Sequence, residues 1–176
     1  MQLRNTPLIY GSVSKFFHWL IAILIICMLV FGYFLGDVPK DYQPMTYNIH
    51  KLIGLTILLL MLLRLGWALM NVKPRLPDGT PCWQRGAERL THFLLYVAVI
   101  GMPLFGWVGS VAAGHAPHIG GFDINLPIAQ SKELADTAFT LHGYFAIVLI
   151  VLISIHALAA LYHHFICRDD ILRRML

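Results

Sequence analysis

The 176-residue chain carries 13 Lys and Arg against 9 Asp and Glu, and 58% of its residues are hydrophobic. Its mean hydropathy is +0.69. A water-soluble domain of this size has too little interior to hide so much apolar surface, which excludes a soluble enzyme. Charge so sparse and scattered also excludes a disordered chain and a nucleic-acid binder.

Four apolar runs are long enough to cross a bilayer, which takes about 20 residues each. They predict helices at about 14–35, 47–70, 88–113 and 137–167. A backbone in lipid must satisfy its own hydrogen bonds, and no alternating barrel pattern is present, so the fold expected is all-α, an integral membrane four-helix bundle. A single transmembrane domain is expected over 1–176, with no added soluble domain. The first run is too long, and lacks the small-residue cleavage pattern, for a removed signal peptide. The connections at 36–46 and 114–136, rich in Pro and Gly, read as loops with turns rather than strands. The connection at 72–84 holds Asp78-Gly79, which predicts a tight polar turn.

Ten of the thirteen cations fall on one side of these spans and three, Lys40, Lys51 and Lys132, on the other. The positive side faces the cytoplasm, so both termini are expected to be cytoplasmic. Five of the nine acids (Asp37, Asp41, Asp123, Glu133, Asp136) lie on the outer side, leaving it net acidic. Tyr33, Tyr47, Trp107 and Tyr144 suit an interfacial belt. Cys27 lies within a span, and Cys82 and Cys167 lie inside, so no structural disulfide is expected.

Nine histidines in so apolar a chain are the informative feature. Ionisable groups are costly in lipid and mark function. His142 and His156 are 14 residues apart on the fourth helix, which brings them within about 40° of one face and roughly 21 Å along the axis. His50, at the outer start of helix 2, shares the level of His142, and His18, near the inner end of helix 1, that of His156. Two facing pairs, His50/His142 and His18/His156, suit a flat cofactor each, and bis-histidine ligation of two haem b groups fits them. Zinc fits less well, since each pair offers only two nitrogens. His163 also lies near the inner end, but His142 to His163 spans roughly 31 Å, the full hydrocarbon thickness, so His156 is the preferred ligand. Gly54 and Gly143 lie where they would clear room for a porphyrin. Arg64, 14 residues after His50, reaches the inner level, where its guanidinium would pair with a haem propionate or extend to headgroups. His92 reads as a capping or interfacial residue, and His115 and His118 as solvated.

Phe-His18-Trp19, Asn48-Ile-His50 with Gly54 and Arg64, His92 and Pro103, Leu141-His142, Ile155-His156-Ala157, and the tail from His163-His164 through Asp169 and Arg174 follow one another in a specific order and spacing. The chain thereby resembles the bacterial cytochrome b561 family, four-helix dihaem membrane proteins, over essentially its whole length. That resemblance implies the same two ligand pairs and a multi-pass location in the bacterial inner membrane. It also implies electron movement between an outer donor and the quinone pool, in the best-supported case superoxide oxidation outside and ubiquinone reduction inside.

Under that reading superoxide, a small anion, would be steered by Lys51 or Lys132. Ubiquinone would find a donor in His163, with Trp19, Lys15 or Arg4 nearby. The partners expected are membrane lipid, superoxide and ubiquinone, with no obligatory soluble subunit. The alternative is a haem b anchor that exchanges electrons with a soluble dehydrogenase or hydrogenase subunit, for which the connections offer little docking area.

Overall fold

The computed structural model describes residues 2–77 and 79–176. Four long helices make up the chain: α1 Ser12–Tyr33, α2 Gln43–Leu69, α3 Cys82–Ala112 and α4 Lys132–Tyr162. All four are long and apolar enough to cross a membrane. Consecutive helices run antiparallel. Asn48 at the head of α2 exchanges hydrogen bonds with the backbone of His118 at one end, the loop end. At the other, the terminal end, Arg75 N donates to Pro7 O and the Arg174 guanidinium to Arg75 O.

The helices begin earlier than hydropathy alone suggests, and the reasons are local. Pro44, which punctuates a loop in the sequence reading, sits in the first turn of α2, where a missing N–H costs nothing. Helix α3 starts at Cys82 rather than near residue 88. Its first turns carry Arg85, Glu88 and Arg89, a polar extension that hides the helix from a hydropathy window. Helix α4 starts at Lys132 because Ser131 Oγ accepts from Leu134 N at 3.2 Å and caps it. Its far end continues through a π turn, His163–Cys167, to the expected limit.

One sequence expectation is corrected at the loop end. Strands β1 His118–Ile119 and β2 Phe122–Asp123 pair antiparallel within the segment read as having none. Gly120 and Gly121 both take positive φ, 55° and 87°, which a two-residue hairpin turn demands. In the 72–84 connection Gly79 has φ 82°, and the turn expected at Asp78-Gly79 otherwise lies outside the described residues.

Packing is uneven, and this positions the site. Helix α3 lies closest to α4, and α2 contacts α1 and α3, whereas among the described residues neither α1 nor α2 packs closely on α4. The close α3–α4 seam follows from glycine. A Cβ on Gly101 would lie 2.6 Å from the Phe145 ring and one on Gly109 2.9 Å from Phe139, the small-residue approach used between membrane helices. The core, Ile21, Ile25, Met28, Ile57, Met61, Ala98, Val99, Leu149 and Leu152, occupies the middle of the bundle. Outward, Ile23, Ile26, Leu59, Leu63, Val97, Ile147, Ile150 and Leu158 are exposed. Lipid rather than water suits so large an apolar surface.

Candidate functional site

Two imidazole pairs flank this core. His50 on α2 and His142 on α4 have ring centres 6.1 Å apart, and so do His18 on α1 and His156 on α4. Both pairs bridge helices whose backbones stay apart. A metal–imidazole bond of about 2 Å on each side, plus about 1 Å from nitrogen to ring centre, calls for roughly 6 Å between centres. The observed spacing therefore leaves room for one metal atom between the rings of each pair.

The loop-end pair is the more fully built. His142 Nδ1 donates to Met102 O at 2.8 Å, which fixes the tautomer and leaves Nε2 free to act as a ligand atom. A Cβ on Gly106 would lie 3.0 Å from the His142 ring, and one on Gly32 3.1 Å from the His50 ring. These glycines form the seats of the two rings. Sequence reasoning singled out Gly54 and Gly143 instead. Gly54 does line the adjoining cavity, but a Cβ on Gly143 would meet nothing within 4 Å. The cavity measures about 710 Å³ and is bounded by Met28, His50, Gly54, Val99, Gly106 and His142, a size and apolar character suited to a large flat cofactor. Nδ1 of His50 and of His18 are both buried without a hydrogen-bond partner, a state that buried polar atoms rarely keep without a ligand or water.

At the mouth of this cavity stand Lys40 and Lys51 with His115 and His118. Lys51 Nζ donates to His115 O at 2.7 Å. Lys40 was not singled out from sequence, because only the folded loops bring it to the cavity. Lys132 lies elsewhere, in an exposed pair with Asp136 at 2.5 Å.

At the terminal end a third imidazole joins the pair. His92 lies 5.3 Å from His156 between ring centres, shorter than the spacing that would admit a metal. Its Nδ1 lies 2.7 Å from Glu88 Oε1, and Lys73 Nζ reaches the same oxygen at 2.6 Å. Position near a helix start gave His92 its capping reading, and the contact with His156 could not be read from spacing within one helix. Arg64 sits with Tyr96, its Cζ 5.9 Å from the ring centre, within electrostatic reach of His18 and His156. No carboxylate pairs with it among the described residues.

The remaining candidates divide. His163 Nδ1 meets Asp169 Oδ2 at 2.5 Å. Trp19 Nε1 donates to Met175 O at 2.8 Å and Lys15 Nζ to Leu176 O at 3.1 Å, so the C-terminal tail engages both donors. Arg4 is exposed, with no side-chain hydrogen bond or ion pair among the described residues. Outside the spans, burial raises the Tyr10 phenol above its ordinary range, with Glu88 adding to the rise. The hydrogen bond from Arg174 lowers the Asp170 carboxyl.

Comparison with known proteins identifies the family. Residues 9–176 match the family model described as prokaryotic cytochrome b561. The chain is 35% identical over 182 aligned positions to cytochrome b561 homolog 2 of Escherichia coli, covering 100% of this chain and 95% of that protein. It is 30% identical over 169 positions to the probable superoxide oxidase CybB of Yersinia pestis, covering 95% of each. A cytochrome b562 of Cereibacter sphaeroides is 27% identical, covering 95% of this chain and 94% of that protein. The chain belongs to the prokaryotic cytochrome b561 family, whose members are haem b proteins of membrane electron transfer.

Proposed function

We propose that the protein moves electrons across the bacterial inner membrane through two haem b groups, oxidising superoxide at the loop end and reducing ubiquinone at the terminal end. In this reading the loop end is periplasmic and both termini are cytoplasmic, as the lysine and arginine distribution favours. The observation that carries the proposal is the pair of matched 6.1 Å imidazole spacings at opposite ends of α4. Likeness to a probable superoxide oxidase supports the choice of donor.

His50 and His142 would hold one haem and His18 and His156 the other, with Arg64 placed for an inner propionate. Haem held by a pair of imidazoles would supply one-electron transfer rather than oxygen binding. The chain's own residues do the rest. His142, locked by Met102 O, keeps its ligand nitrogen aimed between α2 and α4. Leu149 and Leu152 keep water out of the stretch between the pairs. Lys40 and Lys51 give the cavity mouth local positive charge on a side that is otherwise acidic.

Two superoxide ions each lose one electron and leave as dioxygen, and two electrons with two protons convert one ubiquinone to ubiquinol. The proton-handling group is His163. With Nδ1 held by Asp169, its Nε2 is the atom free to face a quinone carbonyl. Trp19 and Lys15, whose donors are engaged by tail carbonyls, would flank the acceptor rather than donate to it, and Arg4 would add positive charge on the same side.

The test is superoxide-driven ubiquinone reduction by the purified protein without any partner. Lys51→Gln is expected to lower the rate about three- to tenfold at low salt and to flatten its salt dependence, as loss of steering does. Lys132→Gln, already paired with Asp136, is expected to change it less than twofold, in line with exposed pairs. Equal effects of the two substitutions, or activity absent in the native protein, would count against the superoxide reading.

A further inference from the structure

The end of α4 is built in a way that electron transfer along the histidine pairs does not require. The helix widens into the π turn His163–Cys167, and Arg168 then takes a left-handed backbone, φ 54°. That conformation is one that residues other than glycine seldom adopt and that tends to mark functional positions. The bend returns the chain on itself. Asp169 N donates to His163 O at 3.2 Å, and the carboxylate is split between two tasks. Its Oδ1 accepts from Ile171 N at 3.1 Å, while Oδ2 meets His163 Nδ1 at 2.5 Å.

Cys167 completes the group. One imidazole nitrogen, one thiol sulfur and one carboxylate oxygen, from His163, Cys167 and Asp169, lie within 4.8 Å of one another. His163 and Asp169 are about four-fifths buried, at 20% and 21% side-chain exposure, and Cys167 is exposed, which provides an open approach.

We propose that His163, Cys167 and Asp169 form a three-ligand site for a divalent ion of the zinc class, with a fourth position open to water. Nitrogen, sulfur and oxygen donors in one set are what zinc accepts, whereas magnesium and calcium require oxygen alone. Binding moves the imidazole proton from Nδ1 to Nε2, displaces the thiol proton to solvent and lets the ion replace the Nδ1–Oδ2 contact. The site shares His163 with the acceptor pocket proposed above but does not rest on that reading.

The full-length, haem-loaded protein tests this with zinc ion alone as the probe. Maleimide labelling of Cys167 is followed by mass spectrometry, with exposed Cys82, outside the apolar stretch of α3, as the reference. Zinc is expected to abolish labelling of Cys167 and to leave that of Cys82 unchanged. His163→Gln and Asp169→Asn should each restore labelling in the presence of zinc. Equilibrium dialysis of Cys167→Ser, an exposed and conservative change, should read one zinc ion fewer per chain. Labelling of Cys167 that ignores zinc, protection that survives both ligand substitutions, or unchanged zinc content in Cys167→Ser would overturn the site.

Discussion

His142→Ala is expected to remove one haem, leave the other, and stop electron transfer from superoxide to quinone altogether. The lost group is the one at the loop end, because His142 is its only contribution from α4 and its ring nitrogen is already committed to that orientation by Met102 O. His50→Ala should give the same product, and His18→Ala and His156→Ala the complementary one. Haem content and the reduced spectrum of each variant read this directly. Transfer fails completely rather than partly because a single remaining haem would leave roughly 21 Å of α4 without a carrier. His92 makes the terminal end the sharper case. Its ring touches His156, so a rescue of the His18→Ala variant by His92 would show as a retained second haem. The 5.3 Å spacing, held by Glu88 and Lys73, argues for loss.

Gly106→Ala is expected to weaken the loop-end haem while making α3 a better helix. Alanine in place of a helical glycine favours the helix by up to about 1 kcal/mol. Here, however, the new methyl would stand 3.0 Å from both Nδ1 and Cε1 of His142, and the ring must give way. A ligand displaced in this manner costs on the order of 10- to 100-fold in affinity for the metal group. Gly32→Ala, 3.1 Å from the His50 ring, should act in the same direction. Gly143→Ala is the control, with the same gain in helix propensity and no neighbour to displace. Thermal unfolding in detergent and haem retention on dilution separate the two effects. Equal haem retention in Gly106→Ala and Gly143→Ala would remove the glycine seats from the site.

Much of the architecture was legible because lipid makes simple demands. Four long apolar runs in a short chain leave a helical bundle as the solution, and His142 and His156 repeat at a spacing that a single helix converts to one face. Charged helix ends were not legible, because Arg85, Glu88 and Arg89 look like a loop to any measure of hydropathy. Contacts between helices were also out of reach. Nothing in local periodicity tells Gly32 and Gly106, which seat the His50 and His142 rings, from Gly54 and Gly143, which stand next to or near those histidines in sequence. The contact of His92 with His156, the arrival of Lys40 at the cavity mouth, and the engagement of Trp19 and Lys15 by the tail likewise depend on the fold. The pairing of Asp169 with His163 depends on the fold as well, because the bend at Arg168 brings the carboxylate back onto the end of α4.

The most direct test is the haem content of the purified native protein, measured per chain, together with the ligation state of each iron by low-temperature electron paramagnetic resonance. Two haem b groups per chain, both low-spin with two imidazole ligands, are expected from the matched pairs at His50/His142 and His18/His156. One haem per chain, or a high-spin iron with an open position in the native protein, would contradict a two-carrier path along α4.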